Sequence, residues 1–285
     1  LVSIDTMKNH YENINYRPDW LLVDEAHLSM ADGWMEVLEY YLQLGTKIIG
    51  FTATPEILGK KKLSDFYTAI VCSKNEKWLM SNVNPRTGFT YLSGYDLYVA
   101  KPPALDEIDI RDEEHVRKQL TQWLRESSIV GDSADSWRSY AHGKRTIAFR
   151  VSIEESRRAV HEFNEMGIRS AHLDSDTPHD ERIRYIKQLA DGTIDVLSNV
   201  NLFSEGFDLS AQVGRDVPIE AVIGEAPTLS YARYKQQAGR CFRAKKDNGI
   251  YLDHVGNTYR HGLPDADEEW TLDGRLIKGE IDISD

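Results

Sequence analysis

The chain has 285 residues and a net charge of −12, with 41% apolar and 28% charged residues. These values are typical of a globular protein with room for two domains. No apolar run is long enough to span a bilayer. The two cysteines, Cys72 and Cys241, are far apart in sequence, which argues against a disulfide scaffold and a four-cysteine zinc site. No secretory leader is visible, so we expect a cytoplasmic protein, or one of the host cytoplasm if it is phage-encoded.

In the first part of the chain, short apolar runs alternate with helix-like periodicity. Trp20–Val23 and Lys47–Phe51 are predicted strands, and Trp34–Leu44 is a predicted helix because its apolar residues recur at helical spacing. The opening residues LVSI have the pattern of a strand. Because the chain begins there without Met, we expect a fragment of a longer protein. Residues 73–94, rich in Asn, Ser and Gly, are predicted to be irregular.

The alternation restarts after a proline-punctuated stretch at 101–104 and an amphipathic helix predicted over 113–127. The predicted strands are Thr146–Phe149, Arg169–Leu173, Ile194–Leu197, Ile219–Ile223 and Gly249–Leu252, and the predicted helices are Ile153–Met166 with Gly167 as a cap, Pro178–Ala190 and Ser230–Ala238. Strands separated by helices favour parallel sheets with helices on both faces. We therefore expect an α/β fold of two blocks.

Two adjacent carboxylates, Asp24 and Glu25, follow the first predicted strand. Ligands of open parallel sheets bind beyond the carboxyl ends of strands, and paired acids there can hold Mg²⁺ while one polarises an attacking water. The alternative is two solvated acids after a strand. Thr52 and Thr54 follow the next strand, where their hydroxyls could sense a ligand or Thr54 could cap a helix.

Two further motifs lie in the second block. Gln236, Arg240 and Arg243 would form one stripe on a helix, and paired arginines bind phosphate oxygens well, although the glycine among them weakens a helix. Gly206 and Asp208 follow a predicted strand, where a glycine lets a ligand approach the backbone. The alternatives are an exposed basic face and a loop turn.

The order of these motifs resembles that of superfamily 2 helicases and translocases. The chain contains DEAH at 24–27, TAT at 52–54, EGFD at 205–208 and QQAGRCFR at 236–243. The opening LVSIDT resembles the segment that contacts nucleic acid in that family. Residues 227–230 and 252–262 are most similar to those of RadD-type bacterial and phage DNA repair helicases. The resemblance extends over nearly the whole chain.

The resemblance implies two RecA-like α/β domains, the first of them incomplete. It places a partial first domain at 1–105, a linker and connecting helix at 106–144, a second domain at 145–258 and an acidic tail at 259–285. Residues 262–285 carry eight acids and two bases, which is half of the net charge. ATP would lie between the two domains, and its hydrolysis would open and close that cleft.

The same resemblance implies roles for individual residues. Asp24 and Glu25 would bind Mg²⁺, with Glu25 activating water, and His27, Thr52 and Thr54 would couple the nucleotide to the nucleic-acid track. Gly206 and Asp208 would line the nucleotide cleft, Gln236, Arg240 and Arg243 would contact the nucleotide, and Thr6 would contact the nucleic-acid backbone. The implied cofactors are ATP and Mg²⁺, and the implied partner is nucleic acid, DNA rather than RNA, with no membrane.

Two other functions remain open at this stage. Asp174 and Asp176 partly match the nucleophile loop of haloacid-dehalogenase phosphatases, with Pro178 where that pattern has a threonine. That reading leaves DEAH and QQAGRCFR without a role. A nucleic-acid-binding module without catalysis is the other alternative, which the net negative charge disfavours.

The phosphate-binding loop GxxxxGK[ST] is absent from the printed sequence. In the family it precedes DEAH by more than the 23 residues that precede Asp24, so truncation explains its absence better than loss.

We predict that the 285-residue chain alone neither binds nor hydrolyses ATP appreciably, because backbone amides and a lysine of that loop provide most of the phosphate contacts. Titration with a fluorescent ATP analogue tests this. Micromolar affinity would contradict the prediction.

Overall fold

The computed structural model describes residues 2–14, 16–57, 61–99, 129–200, 202–203 and 209–277. These residues divide into two compact units. The first unit contains the described residues up to 73 together with 267–277, and the second contains those of 74–266.

The first unit is built on a parallel pair of strands. Its elements are α1 (Ile4–His10), β1 (Trp20–Val23), a 3-10 turn at Ala26–Met30, α2 (Asp32–Gln43), β2 (Lys47–Gly50) and the antiparallel hairpin β9 (Glu268–Thr271) and β10 (Gly274–Ile277). Val23 pairs with Gly50 at the carboxyl ends of β1 and β2. Val23 and Leu38 of α2 belong to one buried apolar cluster, which holds the helix against the strands.

The prediction of a strand at LVSI is wrong, because Ile4–His10 forms helix α1. Ser3 is its N-cap, and its hydroxyl accepts the backbone N–H of Thr6 at 3.3 Å. Asp5 in the first turn and Lys8 in the last complement the helix dipole. A serine cap followed by an acid outweighs four residues of strand-like composition.

The second unit contains a six-stranded parallel sheet in the order β3-β8-β7-β4-β6-β5. Its strands are β3 (Tyr95–Val99), β4 (Thr146–Phe149), β5 (Ser170–Leu173), β6 (Val196–Asn199), β7 (Ala221–Gly224) and β8 (Gly249–Asp253). Its helices are α3 (Glu76–Ser81), α4 (Ile129–Tyr140), α5 (Ile153–Glu165), α6 (His179–Ala190), α7 (Leu209–Val213), α8 (Tyr231–Gly239) and α9 (Asn257–His261). This confirms the predicted α/β class.

Burial explains why the sequence identified the central strands. Every residue of β4, β6, β7 and β8 is buried, as expected for parallel strands covered by helices. Trp137 of α4 and Phe163 of α5 pack in the same apolar cluster as Ile223. Gly167 has φ 78°, which confirms the predicted cap after α5 because glycine adopts this left-handed conformation without strain.

The chain is partitioned differently from the sequence prediction at two places. The prediction places residues 74–99 in the first domain, but they belong to the second unit, where 95–99 form β3, which pairs with β8 at the edge of the sheet. The prediction also places residues 268–277 in an acidic tail, but they form the β9–β10 hairpin of the first unit. The amphipathic helix predicted over 113–127 lies outside the described residues.

A buried ion pair joins two neighbouring strands of the second unit. Arg150 follows β4 and Glu225 follows β7, and their side chains are paired with 1% and 4% of their surface exposed. Arg150 also donates to Ser133 Oγ in α4 at 3.4 Å. Burial lowers the pKa of Arg150 to about 9. A guanidinium held away from water in this way depends on its carboxylate partner.

Replacing Glu225 with Leu should destabilise the chain by about 3–5 kcal/mol, because the Arg150 guanidinium would stay buried without its carboxylate. The double variant Arg150→Met, Glu225→Leu should regain most of that loss, because no charge remains to be buried. Urea unfolding followed by circular dichroism measures both changes. Equal losses in the single and double variants would contradict this account of the pair.

Candidate nucleotide and nucleic-acid site

The two predicted acids stand directly beyond β1. Glu25 has φ 49° and ψ 47°, and among the described residues it is the non-glycine residue with a positive φ. Asp24 Oδ1 accepts the Glu25 backbone N–H at 3.0 Å. This left-handed turn costs on the order of 1 kcal/mol. Because Asp24 is exposed and Glu25 is partly exposed, carboxylate oxygens are available to a hard cation, which suits Mg²⁺ shared with a nucleotide.

The structure brings His27 and Thr52 together. His27 is buried, and its Nδ1 lies 2.9 Å from Thr52 Oγ1 and 3.5 Å from Glu25 Oε2. Thr52 Oγ1 lies 3.2 Å from the Thr54 carbonyl oxygen. If the hydroxyl donates its proton there, His27 Nδ1 must carry the imidazole proton and donate to Thr52. The turn after β1 is thereby hydrogen-bonded to the turn after β2.

Close backbone packing supports this contact. The Ala26 N–H donates to the Phe51 carbonyl at 2.9 Å, and the Phe51 N–H donates to Val23 at 2.8 Å. A Cβ at Gly50 would lie 2.6 Å from the Ala26 Cβ, so a larger residue would force the two turns apart. Thr54 is buried in this turn. No helix begins at Pro55 within the described residues 55–57, so Thr54 is not the helix cap considered from the sequence.

Thr6 is placed in the first turn of α1, where it is exposed. Its hydroxyl lies 2.9 Å from Ser3 Oγ. Among the contacts of the described residues, Thr6 has no hydrogen bond to the DEAH or TAT residues. The contact of Thr6 with a nucleic-acid backbone therefore remains a prediction.

The three phosphate-binding candidates of the second unit do not share one helical stripe. Gln236 lies in α8, Arg240 is the residue that caps its end, and Arg243 lies beyond it. After Gly239 the backbone tightens into i→i+3 bonds, in which Arg240 donates to Gln237 at 3.2 Å and Phe242 to Gly239 at 3.1 Å. Glycine's poor helix propensity accounts for the early end.

Arg243 instead joins an extended segment. Its backbone forms an isolated antiparallel bridge with Leu92, and its guanidinium donates to Ser210 Oγ in α7 at 3.3 Å. The arginine side chains therefore leave the backbone from a helix end and from an extended segment.

Gly206 and Asp208 lie outside the described residues. The segment that leads toward them is held by Asn199 at the end of β6, whose Oδ1 accepts the N–H groups of Leu202 and Phe203, both at 3.3 Å. Asn199 Nδ2 donates to the Ala148 carbonyl at 2.9 Å. Sequence reasoning missed this residue, although its place at the end of an apolar strand was the available signal.

A second missed group fixes the start of α8. The carboxylate of Asp253 accepts three backbone N–H groups of the next turn, at 2.7–3.3 Å. Asn257 Oδ1 accepts the Thr228 N–H at 3.1 Å, and its Nδ2 donates to Ala226 at 3.1 Å. The DHVGN segment therefore determines the path of the loop that precedes the arginine-bearing helix.

The alternative phosphatase site is not supported by the geometry of Asp174. Its side chain is 4% exposed and accepts hydrogen bonds from His172 Nε2 at 2.9 Å, from Thr177 Oγ1 at 3.0 Å and from the Asp176 N–H at 3.0 Å. Although burial alone would raise it, these hydrogen bonds leave the pKa of Asp174 below its usual value. A carboxylate engaged in this way holds a loop and cannot reach a phosphorus atom.

Family models match both units. Residues 133–245 match the helicase conserved C-terminal domain, and residues 1–57 match the res subunit of type III restriction enzymes. The chain belongs to the superfamily 2 helicases. This agrees with the motif order DEAH, TAT, EGFD and QQAGRCFR.

Individual relatives agree with this family. This superfamily 2 chain is 28% identical over 271 residues to a 51.5 kDa protein of Lactococcus phage (isolate 7-9), covering 95% of the chain and 56% of that protein. It is 25% identical to the putative ATP-dependent helicase IRC3 of Saccharomyces cerevisiae, covering 83% of the chain and 34% of IRC3. The chain thus spans about half or less of these relatives.

A solved structure shares the fold. The ATP-dependent type ISP restriction-modification enzyme LlaBIII, solved bound to DNA, superposes with a TM-score of 0.52 at 20% identity, over 89% of this chain and 19% of that one. Separately, none of the helices in the described part of this superfamily 2 chain has the length and apolar character needed to cross a bilayer.

His254, the residue after β8, should make stability depend on pH. Burial, reinforced by the nearby Arg150 charge, lowers the pKa of His254 to about 4. The unfolded chain binds this proton near pH 6.5 and the folded chain does not, so stability present above pH 6.5 should be lost as the pH falls toward 4, by about 3 kcal/mol.

The measurement is urea unfolding across that pH range for His254→Leu and for the exposed control His161→Leu. We expect the acid-dependent loss to shrink in the first variant and to persist in the second. An unchanged pH profile in His254→Leu would show that this imidazole does not cause the loss.

Proposed function

We propose that the chain is part of an ATP-driven motor that moves along or separates nucleic acid, with DNA as its substrate. The observation that carries the proposal is the contact of the DEAH turn with the TAT turn. His27 Nδ1 lies 2.9 Å from Thr52 Oγ1 and 3.5 Å from the Glu25 carboxylate. A change at Glu25 can therefore reach the second turn through one side chain.

The residues of the first unit would act on the nucleotide as follows. Asp24 would hold Mg²⁺, which neutralises phosphate charge. Glu25 would orient an attacking water and accept its proton. His27 would report the state of Glu25 to Thr52, and Thr54 would take part in the same turn.

The arginines of the second unit would supply positive charge to the same reaction. Guanidinium groups stabilise charge that develops on a transferring phosphoryl group, and Arg240 and Arg243 follow α8 within four residues of each other. Gln236 would contact the nucleotide from within that helix. Gly206 and Asp208 would contribute from the preceding loop.

DNA is favoured over RNA by two similarities. The DHVGN and HG residues of 253–262 resemble those of RadD-type DNA repair helicases. LlaBIII, which shares the fold, was solved bound to DNA and is described as ATP-dependent. Together these support DNA as the substrate and ATP as the cofactor.

The proposal is tested by nucleic-acid-stimulated ATP hydrolysis in the natural protein that contains this chain. Glu25→Gln should lower kcat by about 100-fold or more while ATP still binds, because the base is lost and the phosphate contacts are not. Thr52→Val should weaken the stimulation by nucleic acid more than the basal rate, because it removes the hydrogen bond to His27.

The matched control is Glu39→Gln, an exposed acid of α2 outside the site, which should leave both rates unchanged. Single-stranded DNA and RNA of equal length are compared as stimulators. Full activity in Glu25→Gln would refute the catalytic assignment of Glu25. Nucleic-acid binding without any ATP hydrolysis by the unaltered protein would favour a nucleic-acid-binding module without catalysis. Stimulation by RNA alone would refute the DNA assignment.

A further inference from the structure

A helix and a hairpin lie between the start of the second unit and β3. Residues 74–91, here called the aromatic platform, begin with α3 and continue into a tight hairpin in which Val83 bridges Thr90. The Asn84 carbonyl accepts the N–H groups of Thr87 at 3.2 Å and Gly88 at 3.0 Å, and the Asn84 N–H donates to Phe89 at 2.7 Å. These hydrogen bonds give the hairpin a defined backbone.

The aromatic platform exposes large apolar side chains. The exposed fractions are 37% for Trp78, 45% for Phe89, 38% for Tyr91 and 59% for Val83. The rings of Trp78 and Tyr91 lie 5.7 Å apart with an interplanar angle of 30°. Three exposed aromatic rings within 14 residues of sequence are more than scattered surface residues, and such patches mark binding sites.

The aromatic platform is also basic, in a chain whose net charge is −12. Lys74, Lys77 and Arg86 are exposed, and the Lys74 ammonium lies 5.7 Å from the Trp78 ring centroid. Glu76 is the one acid of the segment, and it is paired with Lys235 of α8 at 2.5 Å. Positive charge beside exposed aromatic rings suits an anionic ligand that carries flat apolar groups.

Single-stranded nucleic acid has both properties. Its bases can stack on aromatic rings and its phosphates attract Lys and Arg, whereas the bases of a duplex are already stacked on one another. Resting on the proposed function, we propose that the aromatic platform binds single-stranded nucleic acid, with bases on Phe89 and Tyr91 and phosphates on Lys77 and Arg86.

Backbone contacts connect the aromatic platform to residues 240–243, the segment that carries Arg240 and Arg243. Leu92, directly after the platform, bridges Arg243, and the Ser93 N–H donates to the Phe242 carbonyl at 2.9 Å. Lys245 Nζ lies 3.0 Å from Ser93 Oγ. A displacement of the aromatic platform by bound nucleic acid would therefore also displace the segment that carries Arg243. These contacts would couple nucleic-acid binding to the residues proposed to contact ATP.

The test is binding of a fluorescein-labelled dT20 to the 285-residue chain, without ATP, measured by fluorescence anisotropy. Phe89→Ala should weaken binding roughly 5- to 150-fold, the range for loss of one stacked base. Phe89→Leu should also weaken binding, because leucine has no aromatic ring. Phe89→Tyr should leave binding unchanged, because tyrosine keeps the ring that stacking needs. Tyr259→Ala is the control, since Tyr259 is 39% exposed but lies in α9, outside the platform.

A second readout tests the charges. Arg86→Gln should reduce the slope of log affinity against log salt concentration by about 0.7, the value for one lost phosphate contact on a single strand. Lys187→Gln, an exposed residue of α6, should leave the slope unchanged. An rU20 probe shows whether DNA and RNA bind alike, and either result agrees with the platform.

Two outcomes would overturn the proposal: no binding of dT20 or rU20 by the chain, or binding that Phe89→Ala and Arg86→Gln leave unchanged. The ATPase test of Glu25→Gln is independent of both outcomes. The platform can therefore fail while the proposed motor stands, and the reverse is also possible. A thermal unfolding curve for each variant shows that the binding changes do not come from loss of fold.

Discussion

Parallel pairing extends the backbone ladder one residue past the end of a strand, and the candidate site depends on this constraint. The N–H of Phe51 donates to Val23 at 2.8 Å, that of Arg150 to Asn199 at 2.9 Å and that of His254 to Gly224 at 3.0 Å. The first residue after each strand therefore has a fixed position. Its side chain then stands at the carboxyl edge of the sheet, where parallel sheets bind their ligands.

This constraint explains how much the sequence could predict. The central strands are continuous buried runs, so β4 and β8 could be located to within a residue or two. The residues that follow predicted strands, Asp24 and Thr52 among them, could be chosen as candidates from position alone. Their direct contact through His27 could not, because it depends on β1 and β2 being neighbours in space.

The errors arose where a local or distant contact outweighed composition. The opening residues have a strand-like composition but lead into a helix, because Ser3 caps its N-terminus. The prediction of one helical stripe for Gln236, Arg240 and Arg243 is wrong, because α8 ends at a glycine before Arg243. The hairpin of 268–277 has the composition of a solvated acidic tail, yet its Asp273 carboxylate lies 3.7 Å from Lys62 Nζ in the first unit. No sequence periodicity signals a partner two hundred residues away.

The segment that follows α8 packs closely against β8 and is hydrogen-bonded to the residues that precede β3. A Cβ at Gly249 would lie 2.0 Å from the Cys241 carbonyl oxygen, so β8 and this segment approach as closely as only glycine permits. That contact restricts the segment, and so does the hydrogen bond from the Ser93 N–H to the Phe242 carbonyl. Because the backbone of Arg243 is bridged to Leu92 and that of its neighbour Phe242 is held by Ser93, Arg243 can change position mainly by rotation of its side chain.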